Sequence, residues 1–312
     1  MARVFDLSTI KLREQFIVFV NMEVQHIKSV LIVGKDSYIG NKIDSWLTSK
    51  GYRVSQLDTL SNEWETYDYS GFDAIVHVAG IVHQPQCNDW ELYKRVNTEM
   101  PFEIASKARK DGVKHYVFFS TMGVYGLGKE LRPNIIDENT PIRPSGMYGR
   151  SKYMAEQSLK KLEEGLFGVA IVRPPSVYGK GCRGNYISGF ASVVNKLPII
   201  PVAYQNVRQS MLYIDNLCEL IFQIVDKKLC GVFCPQDDIS VNANEILATI
   251  GRGMGKTIKQ SKFLGIFVYP FRFVPIVKKA YGGIEYSRSL SEIKDIDYCV
   301  VPFKEGMKRT VG

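Results

Sequence analysis

Histidine is scarce in this chain, at four in 312 residues, and the six cysteines (Cys87, Cys182, Cys218, Cys230, Cys234 and Cys299) fall into no zinc-binding spacing. Cys230 and Cys234 have no second pair to complete a site, so no metal is expected. The cysteines read as reduced thiols, which points to a cytoplasmic setting. Long apolar runs are missing too. None approaches the ~20 residues that span a bilayer. The longest candidate, Phe263 to Val277, is interrupted by Pro270, Arg272 and Pro275. These prolines break any long amphipathic helix, so the segment reads as core packing of a small lobe in preference to a membrane-surface element. The early run QFIVFV lacks the length and the small-residue cleavage site of a secretory signal. Residues 1–26 therefore stay outside the expected fold as an N-terminal extension, and the domain proper is expected to begin near Ile27.

What is present is an ordinary folding composition. With 45% hydrophobic and 23% charged residues, the chain can bury a core, which excludes disorder as its dominant state. A length of 312 residues fits one large or two modest domains. The net charge of +8 is unevenly placed, because from Gly251 onward 12 Lys and Arg face 5 Asp and Glu. No recognised module with interleaved base-stacking aromatics accompanies that basic end, so no nucleic-acid partner is expected.

The next pattern is alternation. SVLIVG is a β-branched run ended by Gly34, and NKIDSWLTSKG then places Ile43, Trp46 and Leu47 at helical spacing before Gly51. YRVSQLD, FDAIVHVAG, HYVFFST and GVAIVRP read as further strands, with PFEIASKARKDG and SKYMAEQSLKKLEEG as helices. Apolar strands alternating with amphipathic helices predict an α/β doubly wound parallel sheet covered on both faces. The expected division is a dinucleotide-binding domain over 27–178 and a smaller, mainly substrate-binding lobe over 179–312. A strand near 231–235 should return to the sheet. Ligands of such folds lie at the carboxyl ends of the strands.

Two features there carry cofactor chemistry. The turn GKDSYIG, with Gly34, Ser37, Tyr38, Ile39 and Gly40, joins the first strand to the first helix, where backbone amides can hold a pyrophosphate. Ser37 stands at the middle glycine position of that pattern, and its Cβ limits close approach. Asp58 ends the second strand, where a carboxylate accepts hydrogen bonds from ribose hydroxyls and repels a 2′-phosphate, so NAD is favoured over NADP. Further along, YGRSK puts Tyr148 and Lys152 four apart, on one helical face. An ammonium there favours phenolate and reaches a cofactor ribose. Thr121, just past the strand end FFST, can hydrogen-bond a substrate hydroxyl or carbonyl. His77 ends a buried strand and reads as a packing residue, while His83 lies in a loop placed to line the substrate cleft.

In this order, these motifs resemble an extended short-chain dehydrogenase/reductase of the NAD-dependent epimerase/dehydratase family. The likeness runs from about Ser29 to the C-terminus through GKDSYIG, Asp58, HVAG (His77 to Gly80), Asn97 in RVNTE, STMGVYG, YGRSK and RPPSVYG. It implies a Rossmann-type domain. Thr121, Tyr148 and Lys152 would be the catalytic set, with Val78, Ala79, Gly80, Asn97 and Pro174 joining the cofactor residues. By the same resemblance Asn185 would hold the substrate diphosphate and Arg208 its nucleotide phosphates or ribose, as suits a guanidinium. The chain departs from the family in one place: only 19 residues separate Asp58 from His77, so the helix and strand usual there should be short or missing.

The resemblance is nearest to bacterial polysaccharide-precursor enzymes acting at C4 of UDP-sugars. A 4-epimerase with NAD, acting on a UDP-hexose or UDP-N-acetylhexosamine, leads. Its alternative is an NAD(P)H-dependent reductase of a UDP-4-keto-6-deoxy sugar. Asp58 favours the first and the shortened segment after it the second. A non-catalytic NAD-binding module would need none of Thr121, Tyr148 and Lys152. A dehydratase is disfavoured, since Met122 and Gly123 stand where such relatives carry an Asp-Glu pair. The expected partner is the UDP-sugar, and a homodimer is the assembly the reading allows.

Overall fold

A computed structural model describes residues 28–82, 89–163, 165–182 and 187–312. Six parallel strands form the central sheet: β1 (Ser29–Val33), β2 (Arg53–Leu57), β3 (Ala74–His77), β4 (His115–Phe119), β5 (Gly168–Val172) and β6 (Gly231–Phe233). Their order across the sheet is β6-β5-β4-β3-β1-β2. The expected doubly wound α/β sheet is thus present, and GVFCP supplies its last strand.

Why both faces are covered follows from the period of two along each strand. Val30 and Ile32 of β1 join one core, with Val76, Val117 and Val172 from neighbouring strands. Leu31 and Val33 join the other, with Ile75, Phe118 and Ile171. The first face receives α1 (Tyr38–Ser49) through Ile43 and Leu47. Between Asp58 and His77 there is a single four-residue helix, α2 (Glu63–Thr66). No strand follows α2 before β3, so β2 is the sheet edge, as the short spacing predicts. The second face receives α3 (Met100–Lys110) and α4 (Gly146–Lys160). The first is also packed by α5 (Ile214–Asp226), whose Leu217, Ile221 and Ile224 are fully buried. So the chain beyond residue 178 returns a helix to the sheet as well as a strand.

Parallel register aligns the strand ends. Val33 pairs with Leu57 on one side and His77 on the other, His77 pairs with Phe118, and Phe119 with Val172. The residues that immediately follow (Gly34, Asp58, Val78, Ser120 and Arg173) therefore stand in one row at the carboxyl edge. Strand order reverses between β1 and β3, which is where a crevice opens in this architecture.

The chain beyond residue 178 is more regular than its glycines and prolines suggest. It contains a helix at Ile187–Lys196, a strand at Ile199–Pro201 and a capped helix at Ala243–Gly253. One expectation fails here. The Phe263–Val277 segment is not core: Phe273 is 81% exposed, Ile276 70% and Phe263 69%. Pro270 and Pro275 do break it into short helical turns, but the pieces lay most of their apolar side chains on the surface. No helix among the described residues is long and apolar enough to cross a membrane.

Candidate active site

The glycine turn is held by the end of β2. The amides of Gly34 and Lys35 both donate to the Leu57 carbonyl, at 3.0 and 3.1 Å. Gly34 has φ +122°, and a Cβ there would lie 2.8 Å from the Val78 side chain and 2.9 Å from the Ala79 nitrogen. Only glycine fits that conformation and that closeness. Ser37 departs from the glycine pattern because it caps α1: its hydroxyl donates to Gly34 O at 2.7 Å and accepts from the Gly40 amide at 3.1 Å. No acid stands in the first turn of α1, so that helix end keeps its attraction for an anion. The Tyr38 hydroxyl is buried with no partner among the described residues, and its ring reaches Gly181. Burial holds that phenol far above the ordinary range. Ile39, half-buried, packs on the core beside it.

Asp58 sits next to this turn. One carboxylate oxygen accepts from the Leu60 amide at 2.9 Å, and the other has no partner among the described residues. Val78 and Ala79 both donate to the Val33 carbonyl, at 2.9 and 3.0 Å, closing the opposite side of the crevice. A positive-φ glycine, a capped helix end, an orphaned buried hydroxyl and a carboxylate at the second strand end together fit a dinucleotide.

Asn97 stands behind this groove. It is fully buried, donates to Ile81 O at 2.9 Å and to Ser151 Oγ at 3.1 Å, and accepts from the Ile81 amide at 2.8 Å. Both ends of its amide are engaged, so it acts on the crevice through the Gly80–Ile81 backbone that it fixes to α4. His77 is buried beneath the same strand end, with Nδ1 2.6 Å from the Tyr116 hydroxyl. Burial, with Lys152 nearby, pushes its pKa well below the usual histidine value. It packs, as its sequence position suggests.

The chemical centre lies on α4. Tyr148, Lys152 and Glu156 follow at intervals of four and share one face. Thr121 caps the short 3₁₀ turn Met122–Tyr125 by accepting from the Gly123 amide at 3.0 Å. Its own hydrogen bond to the Tyr148 phenol lowers the phenol's pKa, but burial is the larger influence, and the balance is pushed up to about 12. Lys152 is 3% exposed and donates to the Phe119 carbonyl at 2.8 Å. Burial pulls its pKa down to about 7, with Glu156 acting in the opposite direction. Burial, Thr121 and Tyr93 are the groups that act on Tyr148, while the ammonium is directed to the backbone of β4. A Cβ on Gly80 would come within 2.9 Å of Lys152 Nζ, so lysine and cofactor loop are in close approach.

A cavity of about 220 Å³ opens beside Thr121, lined by Gly123, Ile136, Pro174, Ser176 and Ile284 among others. The Pro174 carbonyl accepts from the Met122 amide at 3.0 Å, tying the end of β5 to the threonine's turn. Arg208 lies elsewhere, lining a different cavity with Asp238 and Glu285. Its guanidinium donates to the Ser240 hydroxyl at 3.1 Å, to the Ser240 carbonyl, and to Glu245 at 3.2 Å. It is paired with Ser240 and Glu245 and does not line the Thr121 cavity. His83 and Asn185 fall outside the described residues.

Sequence reasoning missed the group that fixes α4. Arg173 and Glu156 form a two-pronged ion pair at 2.9 and 2.5 Å, and Ser120 donates to the same carboxylate at 2.5 Å. Arg173 also donates to the Tyr125 hydroxyl at 3.0 Å. The only signal in the sequence was Glu156 one turn beyond Lys152 and an arginine at the end of GVAIVR.

Comparison with known proteins agrees with this fold. A sequence model of the NAD dependent epimerase/dehydratase family matches residues 30–231. The chain is 30% identical over 253 residues to an Escherichia coli O157:H7 protein named N-acetyl-alpha-D-glucosaminyl-diphospho-ditrans,octacis-undecaprenol 4-epimerase, covering 74% of this chain and 73% of that one. It is 27% identical to a Vibrio cholerae UDP-glucose 4-epimerase, over 73% and 76% of the two chains. Among solved structures, UDP-glucuronic acid 4-epimerase from Bacillus cereus in complex with NAD superposes with a TM-score of 0.67 at 16% identity, covering 91% of this chain and 97% of that one.

Proposed function

Because the chain belongs to the NAD-dependent epimerase/dehydratase family, we propose that it inverts C4 of a hexose joined to a diphosphate, with a UDP-hexose or UDP-N-acetylhexosamine as substrate. The observation that carries this reading is the shared face of α4, which sets Tyr148 and Lys152 one turn apart, with Lys152 fixed to the Phe119 carbonyl at the end of β4 two residues before Thr121. The names of both curated relatives above end in 4-epimerase, which supports C4 as the reacting position.

Bound NAD supplies a reversible hydride acceptor. The chain's own residues handle the proton. Thr121, held by the Gly123 amide, positions the C4 hydroxyl beside the Tyr148 oxygen, and the ionised phenol takes the hydroxyl proton. Burial alone makes that ionisation costly, since it pushes the phenol up to about 12. The Thr121 donor works against burial by stabilising the phenolate. Lys152 holds a proton within the same closed wall, ready to contact a ribose when the groove fills. The reduction that completes inversion returns the proton from Tyr148 to the new C4 oxygen.

The second reading, a 4-ketosugar reductase, is favoured by the four-residue α2, which leaves the β2 edge less covered. One experiment separates the two. The purified protein is incubated with UDP-glucose, UDP-N-acetylglucosamine and a UDP-4-keto-6-deoxy sugar, with and without NADH or NADPH, and products are identified by NMR. Inversion at C4 without added reduced cofactor is expected. Turnover of the keto sugar alone, with stoichiometric consumption of NADH or NADPH, overturns the epimerase reading.

A further inference from the structure

The Phe263–Ile276 segment carries apolar side chains that nothing among the described residues covers. Phe263, Ile266 and Phe267 follow at i, i+3 and i+4 on one side of the short helix Lys262–Ile266, and all are exposed. Phe271, Phe273 and Ile276, further along the segment, are exposed as well.

This outward direction is fixed. On the opposite side of the helix, Gly265 is buried so closely against the Val202 backbone that no Cβ would fit. Ser261 caps the helix by accepting from the Leu264 amide at 3.1 Å, and the Ser261 carbonyl accepts from Val202 at 3.0 Å. Behind the next turn, the Tyr269 ring packs 4.8 Å from Tyr204, and the Tyr281 hydroxyl donates to Pro201 O at 3.0 Å. Val268, Val277 and Tyr281 pack on the small core of Ala203, Tyr204 and Val207. The segment therefore has an anchored inner side and an apolar outer side.

Its charge is one-sided. Between Glu245 and Glu285 the sequence has no acid, while Arg252, Lys256, Lys259, Lys262, Arg272, Lys278 and Lys279 are all basic and exposed. Glu130, from the loop beneath it, is paired with Lys278 at 2.9 Å. A second copy is a poor occupant: a two-fold interface would set this basic segment against itself, and between Glu245 and Glu285 it has no acid of its own to pair. A surface rich in exposed phenylalanine and bordered by cations matches the physics of an anionic lipid interface. Apolar rings enter the acyl boundary while lysines and arginines meet the phosphates.

We propose that this face docks the protein on the surface of an anionic phospholipid bilayer. The docking is peripheral, and it is independent of which sugar the active site turns over.

The test is co-sedimentation of the full chain with vesicles of phosphatidylethanolamine containing phosphatidylglycerol, against vesicles of phosphatidylcholine, with sedimentation velocity run in parallel. Binding to the anionic vesicles alone is expected, weakened by about 0.5 M salt. Changing Phe263, Phe267 and Phe273 together to serine should reduce partitioning by roughly tenfold or more, as burial of apolar area drives insertion. Lys262→Glu with Lys279→Glu should do the same by roughly tenfold or more, since each cation contributes separately. Leu166→Ser, an exposed apolar change outside this segment, should leave binding unchanged. Wild-type protein that stays in the supernatant with anionic vesicles overturns the proposal. So does binding that survives both sets of substitutions, or a dimer that the serine triple converts to monomer.

Discussion

Glu156 and Arg173 meet as a two-pronged ion pair in which neither side chain is more than 4% exposed. The pair joins the end of β5 to the helix face that carries Tyr148 and Lys152, and Ser120 adds the end of β4 to the same carboxylate. Breaking one half leaves a charge buried without its partner.

Glu156→Ala is therefore expected to lower stability by about 3–5 kcal/mol, the usual cost of orphaning a buried charge. Arg173→Met should be similarly costly. The double variant should lose less than the two single losses added, because it leaves no buried charge without its partner, with a coupling of roughly 0.5–3 kcal/mol. Urea unfolding of the three proteins measures this. Additive losses would mean that the pair is not a unit.

The parts of this molecule that could be read from the sequence are those set by local chemistry. The strands announced themselves because a sheet covered on both faces needs unbroken apolar runs, and SVLIV and HYVFF are such runs. Asp58 and His77 were too close together for a full helix and strand, and α2 has four residues. Glu156 and Arg173 were not legible as partners, since their meeting depends on how α4 lies over β5. Arg208 was legible as a cation but not as the partner of Ser240 and Glu245, which come from a different stretch of the second lobe. The Phe263–Val277 segment misled because a phenylalanine has the same identity in a core and on a surface. Its composition carried no information on what covers it; contacts such as Gly265 on the Val202 backbone and Tyr269 on Tyr204 decide which side faces outward.

Lys152 gives a pH dependence with a definite sign. Burial holds its pKa in the folded protein at about 7, below the ordinary value of 10.5. Between these values the folded state binds fewer protons at this site than the unfolded chain. Stability from this residue therefore rises with pH across that window, by at most about 1.4 kcal/mol per pH unit for one proton. Below pH 7 the cost of charging the buried amine is present in full. Urea midpoints of wild type and Lys152→Met, compared from pH 7 to pH 10, should show wild type gaining on the variant as pH rises. Parallel curves would remove the titration from this lysine.

Asp58 is expected to set cofactor preference. Its carboxylate stands beside the glycine turn with one oxygen committed to Leu60 and the other without a partner among the described residues. A ribose diol can donate to that oxygen, whereas a 2′-phosphate meets like charge. NAD should bind more tightly than NADP, and Asp58→Ala should narrow the gap by on the order of 1–3 kcal/mol, the range for charge-assisted hydrogen bonds. Titration of both cofactors against both proteins is the measurement. A wild-type preference for NADP would reverse the assignment and favour the reductase reading.

Tyr148 and Thr121 should be separable by pH. Tyr148→Phe removes the proton-transfer group and should reduce kcat by about 10²–10⁴-fold, with NAD affinity little changed. Thr121→Val keeps the phenol but deletes the hydrogen bond that lowers its pKa. A phenolate that loses a donor becomes harder to form, so the phenol's pKa rises. Because the base acts in its ionised form, the limb of kcat/KM that climbs with pH should move to higher pH in Thr121→Val. Thr121→Ser, which retains the hydroxyl, should return it toward the wild-type position. A limb that stays in place when Thr121 becomes valine would show that this threonine does not tune the base, whatever its effect on rate.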